Sequence, residues 1–206
     1  MSLNPHYKLL DFYKKIEDIR NPEKERIQLQ NIRRLLSRKQ ESGIEVSSLQ
    51  KEAFDYAYIG ISKKESPEYA IKSFKHFMHN GNYRIFTRTN NIRGLLINTG
   101  ITPEIMREMI YEEQKNALIN ASLETMQKYD VAQVGRALFG IKNGNYEFFT
   151  NTNNARKNLK LMIEPSEIDG IIKTILEEEG YKEIEDNDCY WVLLELIKKM
   201  NEEKTK

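Results

Sequence analysis

A stretch of twelve residues occurs twice in this chain of 206 residues. Residues 80–91 read NGNYRIFTRTNN and residues 143–154 read NGNYEFFTNTNN, so that nine of the twelve positions are identical. The apolar positions before each stretch recur at the same spacing of 63 residues, with Ile71, Phe74 and Met78 matched by Val134, Ala137 and Ile141. Because a fixed internal period is typical of a duplicated structural unit, the sequence predicts two related modules that present two related surfaces.

Each copy shows the same order of secondary-structure signals. A helix ends at an Asn-Gly-Asn turn, because glycine and asparagine tolerate positive φ angles. Residues 83–87 and 146–150 follow this turn, and their aromatic and β-branched side chains predict a short strand in each copy. Two further helices complete each copy, the second of them beginning near residues 102–104 or 165–167, where a proline stands beside an acidic residue. If the two strands pair with each other, the two copies form one domain.

These signals predict a mostly α-helical fold (α+β) in which a helical N-terminal segment precedes two degenerate helix–strand–helix–helix repeats. Amphipathic patterns predict N-terminal helices at residues 6–19, 21–42 and 46–61. The predicted boundaries are residues 1–62 for the N-terminal segment, residues 63–128 for the first module and residues 129–206 for the second module with its C-terminal helix.

Composition excludes several classes of protein. Apolar residues make up 39% of the chain and charged residues 31%, proportions typical of a soluble globular protein rather than a disordered one. The longest apolar run, residues 190–194, is far too short to span a membrane, and the N-terminus lacks the basic and apolar regions of a secretory signal. Cys189 is the single cysteine, so an intramolecular disulfide is excluded and a cytoplasmic location is favoured.

Net charge is only +1, but the charged residues are unevenly distributed. Residues 69–103 contain no aspartate or glutamate, whereas residues 164–188 contain ten acidic residues and two lysines. The cations of the first window, here called the basic face, are Lys72, Lys75, Arg84, Arg88 and Arg93. A local excess of one charge indicates a binding surface more directly than the net charge does.

Two kinds of partner suit the basic face. Aromatic residues alternate with its cations, and cations combined with stacking aromatic rings are typical of surfaces that bind RNA. A protein partner could also bind to these cations. A third interpretation is that Phe74, Phe77 and Phe86 belong to the core and that the cations are merely solvated. The Tyr190-Trp191 pair also suits either a partner site or the core.

No residue pattern predicts a catalytic group, a metal site or a cofactor. His76 and His79 are three residues apart on a predicted helix, but zinc needs at least one further ligand and none is near in sequence. Together with Tyr83 they are auxiliary candidates beside the basic face. If the protein is an enzyme, it is a ribonuclease in which His76, His79, Tyr83 and Arg84 supply the acid–base and phosphate-stabilising groups. Another alternative is self-assembly, in which the basic face contacts residues 164–188 of a neighbouring copy.

One further pattern extends over residues 67–113. It consists of the helix before Asn80, the segment 81–91, the Leu95-Leu96 pair and the segment 99–104 that leads into a helix. This order resembles the N-terminal half of MqsR-like toxins, the motility quorum-sensing regulator family of toxin–antitoxin systems. The resemblance implies a relation to small RelE-like α/β ribonucleases that cut mRNA. The catalytic residues of that family lie largely in a strand-rich C-terminal half, whereas residues 114–129 here predict a helix, so no catalytic residue matches a position in this sequence.

We therefore expect a non-enzymatic binding or regulatory protein of a toxin–antitoxin or phage-conflict system. It would engage RNA or a protein partner through the basic face, with no cofactor and no membrane partner. The alternatives are an RNA-cleaving ribonuclease and a self-assembling interaction protein.

Overall fold

The computed structural model describes residues 46–149, 153–182, 184–185 and 188–205, and for residues 46–47, 87–90 and 153 it describes the backbone alone. The helices predicted at residues 6–19 and 21–42 lie outside the described residues. The described part is mostly helical, which confirms the predicted mostly α class. None of its helices combines the length and the apolar character that crossing a lipid bilayer requires.

In chain order the elements are α1 (Val46–Lys64), α2 (Pro67–Asn80), a first 3-10 helix (Tyr83–Thr89), α3 (Asn90–Asn98), α4 (Pro103–Met126), α5 (Val131–Lys142), a second 3-10 helix (Tyr146–Phe149), α6 (Asn153–Met162), a third 3-10 helix (Pro165–Glu167), α7 (Ile168–Glu178) and α8 (Cys189–Lys204). Local capping explains where two of them begin. The Ser66 hydroxyl accepts a hydrogen bond from the Tyr69 amide at 3.1 Å, and Pro67 occupies the first turn of α2. At the start of α5, the Asp130 carboxylate accepts a hydrogen bond from the Gln133 amide at 2.8 Å.

The two predicted strands are wrong, because each duplicated stretch forms a 3-10 helix and no described residue lies in a strand. The cause is a turn at the preceding asparagine. The Asn82 side chain accepts a hydrogen bond from the Arg84 amide at 3.0 Å, and the Asn145 side chain accepts one from the Glu147 amide at 3.0 Å. Such asparagine turns fold the chain back on itself and compete with an extended conformation.

The spacing of the inward-facing rings agrees with a 3-10 helix. Tyr83 contacts Phe77 with ring centroids 4.6 Å apart, and Phe86, three residues after Tyr83, contacts the same ring at 5.7 Å. A strand would direct residues three apart to opposite faces, whereas a 3-10 helix directs them to one face. Strand pairing between the two copies therefore has no counterpart in the described part of the chain.

The chain divides into two compact units, Met1–Met109 and Ile110–Lys206. The division falls within the continuous helix α4, whereas the sequence predicts boundaries at 62/63 and 128/129, which stay predictions. In the first unit, α1 packs against α2 and α3, and both of these helices pack against the first 3-10 helix. The Phe74 ring lies at the centre of this core, 4.9 Å from the Phe54 centroid and 5.9 Å from that of Phe86.

In the second unit, α8 packs against α5 and α7, and the second 3-10 helix packs against α5 and α6. The apolar core includes Leu138, Ile172 and Leu193, all fully buried. Lys115 of α4 is also buried, and its ammonium lies 2.6 Å from the carboxylates of both Glu112 and Glu178. This ion pair ties α4 to α7 within the second unit.

Candidate functional site

The basic face centres on helix α2. Its apolar side chains, among them Phe74 and Phe77, are buried against the rest of the first unit. Residues at positions i, i+4 and i+7 share one side of a helix. Lys72, His76 and His79 have this spacing and are all exposed. One lysine and two histidines therefore share the solvent side of α2.

Two arginines outside α2 add to the positive charge near its C-terminal end. Gly81 ends the helix in the left-handed region at φ 62°, and its amide donates a hydrogen bond to the Phe77 carbonyl at 2.8 Å. Arg84 follows in the first 3-10 helix and is exposed. Arg107 of α4 donates a long hydrogen bond of 3.5 Å to the Met78 carbonyl in the last turn of α2. Because a helix C-terminus favours positive charge, Arg107 also stabilises α2.

The five residues of the basic face differ in exposure. Lys72 and Arg84 are exposed, and neither forms an ion pair with another residue that the structure describes. Lys75 and Arg93 are partly buried, Lys75 on α2 and Arg93 on α3. The side chain of Arg88 lies outside the described residues. Lys72 and Arg84 are thus the cations most available to a partner.

The aromatic residues that alternate with these cations face the core. Phe74, Phe77 and Phe86 are each at most 1% exposed. A nucleic-acid base therefore has no access to their rings, and the interpretation that these residues belong to the core is confirmed. The basic face offers positive charge without these rings as a stacking surface.

Tyr83 has a structural role in this arrangement. Its hydroxyl donates a hydrogen bond to the Ile101 carbonyl at 2.5 Å. Burial, together with the nearby Glu104 carboxylate, raises the pKa of Tyr83. A phenol that is held neutral and already donates its proton to the backbone is poorly placed to act as an acid or base toward RNA.

The two histidines do not combine with other described side chains into a catalytic or metal site. The Asn80 side-chain amide lies 3.2 Å from Nε2 and 3.3 Å from Nδ1 of His76, and His79 is exposed. Among the described residues, no group of three or more histidine, cysteine, aspartate or glutamate side chains is arranged to hold a metal ion. The histidines add hydrogen-bond donors and acceptors to the basic face.

The second unit carries different side chains at the matching positions. At the spacing of 63 residues, His76 corresponds to Phe139, Phe77 to Gly140 and Ile85 to Phe148. Phe139 and Phe148 are 55% and 51% exposed. A Cβ atom at Gly140 would lie 2.6 Å from Cδ2 of Phe148, so the Phe148 ring occupies the space that the missing side chain leaves.

Trp191 of α8 extends this exposed aromatic surface. It is 54% exposed, and its ring lies 3.0 Å from the position of a Cβ atom on Gly135. Tyr190, its neighbour in sequence, is buried, so the two members of this pair have different environments. The concave surface of about 560 Å³ between these elements is here called the aromatic groove, defined by Gly135, Arg136, Phe139, Gly140, Phe148 and Trp191.

Several acidic residues of the segment 164–188 are used inside the second unit. Asp169 accepts a hydrogen bond from the Tyr190 hydroxyl at 2.6 Å and lies 3.0 Å from the Lys142 ammonium. Burial alone would raise the pKa of Asp169, but the hydrogen bonds from Tyr190 and Lys142 hold it below its usual range. Glu178 pairs with the buried Lys115. Because these carboxylates already have basic partners within the second unit, they are less available to the basic face of a neighbouring copy than unpaired carboxylates would be.

Sequence reasoning named the Tyr190-Trp191 pair as suited to a partner site or the core, but it missed the other side chains of the aromatic groove and Arg107. The available signal was the set of positions at which the two copies differ, because Phe139 and Phe148 are aromatic only in the second copy. Comparison of the identical positions alone shows how the copies fold, whereas the exchanged positions show how their surfaces differ. Arg107 gave no signal, since its approach to α2 depends on tertiary structure.

No protein-family model, no curated protein and no solved structure matches this chain. The resemblance of residues 67–113 to MqsR-like toxins therefore stays a prediction.

Proposed function

We propose that this chain is a non-enzymatic binding protein, built from two copies of one helical module, that engages the acidic surface of a protein partner through the basic face. The observation that carries the proposal is the solvent side of α2 and the turn after it. Lys72, His76, His79 and Arg84 are exposed there, and Glu68 is the single acidic residue of the helix. Cations in this arrangement attract an acidic surface and steer its approach.

The proposal of two copies is supported by matched local geometry. Gly81 and Gly144 occupy the same place in the duplicated stretch and have φ angles of 62° and 73°. Tyr83 and Tyr146 follow them by two residues, and each donates a hydrogen bond of 2.5 Å to an isoleucine carbonyl. Shared sequence, turn and tertiary hydrogen bond favour duplication over chance similarity.

A protein partner is favoured over single-stranded RNA because of the buried aromatic rings. Surfaces that hold single-stranded RNA combine cations with rings on which the bases stack. Phe74, Phe77 and Phe86 are withdrawn into the core, so the basic face has the charge but lacks these rings. The ribonuclease alternative is weakened in a similar way, since the Tyr83 hydroxyl is engaged by the backbone. A role in a toxin–antitoxin or phage-conflict system stays a prediction.

The test compares two charge-reversal variants of the full chain. Lys72→Glu with Arg84→Glu alters the basic face, and Arg156→Glu with Lys157→Glu makes the same charge change at exposed positions of α6. Fluorescence anisotropy would follow two labelled probes, a poly-glutamate peptide and a single-stranded RNA, at low and moderate salt. We expect the basic-face variant to bind the acidic peptide about tenfold more weakly than the α6 variant, with affinity falling as salt rises.

Each other outcome has a definite meaning. An equal loss of affinity for the acidic peptide in both variants would show that binding responds to net charge. It would contradict a specific role for the basic face. Tighter binding of RNA than of the peptide, with the same dependence on Lys72 and Arg84, would change the partner to RNA. Cleaved RNA on a denaturing gel would support the ribonuclease alternative. Absence of binding to either probe at low salt would overturn the proposal.

A further inference from the structure

The aromatic groove of the second unit is a second candidate binding surface, independent of the basic face. Three of its side chains, Phe139, Phe148 and Trp191, are each more than half exposed. Scattered single apolar residues on a surface need no explanation, but three large rings around one concavity are typical of an interaction site.

The groove is built on close packing. The Phe148 ring lies against Gly140, and the Trp191 ring lies against Gly135, so two glycines of α5 let aromatic rings approach the helix backbone. A side chain at either position would displace these rings. The two glycines therefore leave the space in which the Phe148 and Trp191 rings approach α5.

Tyr190 makes the base of the groove rigid. Its ring meets the Phe139 ring edge-on, with centroids 5.4 Å apart. Its hydroxyl donates a hydrogen bond of 2.6 Å to Asp169, which also pairs with Lys142 at 3.0 Å. A surface that is already ordered before binding loses little conformational entropy when an occupant arrives.

The charge of the groove selects its occupant. No aspartate or glutamate lines it, and Arg136 is its one lining cation among the described residues. Arg136 is exposed and makes no ion pair with another residue that the structure describes. The Lys142 ammonium lies 6.0 Å from the centroid of the Tyr190 ring and already forms an ion pair with Asp169 at 3.0 Å. An apolar occupant that brings one carboxylate would complement both the rings and the arginine.

Composition favours a peptide over a nucleic acid. Tryptophan and arginine are among the residues that dominate binding energy at protein interfaces, and the groove exposes one of each without lysine or glutamate. A nucleic-acid strand would require several cations along its phosphates. The volume of about 560 Å³ suits a few side chains of a short segment.

We propose that the aromatic groove binds a short acidic and apolar segment of a partner protein. A bulky apolar side chain of the segment lies between Phe148 and Trp191, and a neighbouring carboxylate pairs with Arg136. This site does not depend on the basic face.

The probe is a random peptide library displayed on phage, selected on the wild-type chain and separately on Arg136→Glu. We expect the wild-type chain to enrich peptides with bulky apolar residues and an aspartate or glutamate. On Arg136→Glu the acidic position should change to lysine or arginine while the apolar positions remain. This reversal is the readout specific to the proposed pairing.

Trp191 gives a direct measurement, because it is the single tryptophan of the chain. A selected peptide should shift its emission to shorter wavelength and protect it from iodide quenching. By anisotropy of the labelled peptide, Phe148→Ala and Trp191→Ala should each bind about tenfold more weakly or worse, with circular dichroism confirming the fold. Lys72→Glu with Arg84→Glu is the control and should bind as the wild type does.

Four outcomes would overturn the proposal. One is the absence of any enriched peptide, and another is enrichment that ignores both Arg136→Glu and Phe148→Ala. A third is a dimer of the free chain that Trp191→Ala dissociates, which would make a second copy the occupant. The last is protection of Trp191 by single-stranded RNA at moderate salt.

Discussion

Tyr83 and Tyr146 show how one residue can fix the local fold of each copy. Both stand two positions after a glycine in the left-handed region, and both donate a hydrogen bond to a distant isoleucine carbonyl. The sequence marks these tyrosines as identical but assigns them to strands. Their acceptors, Ile101 and Ile163, lie outside the identical stretch, so the pairing could not be read from the sequence.

Removal of either hydroxyl should weaken the unit that contains it. Tyr83→Phe and Tyr146→Phe each leave a backbone carbonyl without its donor, and we expect each to lower the free energy of unfolding by about 1 kcal/mol. Urea denaturation followed by circular dichroism measures this change. Tyr181→Phe is the control, since that side chain is exposed. Unchanged stability in all three variants would contradict a structural role for the hydroxyls of Tyr83 and Tyr146.

Tyr146 also predicts how stability changes at high pH. Burial, with Glu164 and Glu167 nearby, raises its pKa from 10.0 to about 12. Because the folded-state pKa is above the unfolded one, the contribution of Tyr146 is complete below pH 10 and is lost as the pH rises through about 12. A rise in pH across this window should therefore lower the free energy of unfolding of the wild type more than that of Tyr146→Phe, which has no phenol to ionise at this position. Urea denaturation at each pH measures the change. Parallel losses in the two proteins would show that Tyr146 is not the titrating group.

At the scale of elements, α2 and α5 precede the two copies of the duplicated stretch in the sequence but differ in the side chains that they expose. Helix α2 carries Phe77 inward and His76 outward, whereas α5 carries Gly140 and Phe139 at these positions. The apolar spacing before each Asn-Gly-Asn turn predicts both helices from sequence. Their surfaces could not be predicted as easily, because the exposure of Phe139 depends on what the neighbouring elements leave uncovered.

Two glycine substitutions separate helix propensity from packing. Gly170→Ala in α7 adds a methyl group with nothing within 4 Å, so we expect a gain of about 0.5–1 kcal/mol in the free energy of unfolding. Gly140→Ala in α5 gains the same propensity but directs its methyl group to within 2.6 Å of Phe148. We expect this clash to outweigh the gain and to leave the variant about 1 kcal/mol less stable than the wild type.

Thermal or urea denaturation of both variants provides the measurement. Equal stabilisation by the two substitutions would mean that the Phe148 ring moves aside freely. The glycine would then not be what holds the ring over α5.

The 3-10 helices show where element prediction fails. Aromatic and β-branched side chains favour strands on average, but the hydrogen bond from Asn82 to the Arg84 amide decides the conformation locally. A strand also needs a partner strand, and the one candidate partner in the sequence was the strand predicted in the other copy. The inward positions, Tyr83 and Phe86, are three residues apart. This spacing predicts a 3-10 helix, and it is a better guide here than the strand preference of the side chains.

At the scale of the whole molecule, the division of charge between the copies could be read from the sequence. The acidic segment 164–188 and the basic face suggested a complementary pair. Hydrogen bonds and ion pairs within the second unit change this expectation, since Asp169 and Glu178 already have basic partners. A window of like charge in a sequence therefore overstates the charge that the folded protein presents.

We expect the free chain to sediment as a single copy at both low and high salt. The reason is that several carboxylates needed for contact with the basic face of a neighbour are engaged within the second unit. Analytical ultracentrifugation at two salt concentrations is the measurement, with Lys72→Glu and Arg84→Glu as the matched variant. A mass that falls with salt in the wild type, but not in this variant, would favour the self-assembly alternative.

Cys189, the single cysteine of the chain, can serve as a probe of local opening at the start of α8. It is buried, so a maleimide can reach it only when that part of the helix opens. The rate of alkylation under native conditions then reports how often this part of the helix opens. Trp191 lies two residues further along the same helix, so any occupant that holds this turn closed should slow the reaction of the thiol.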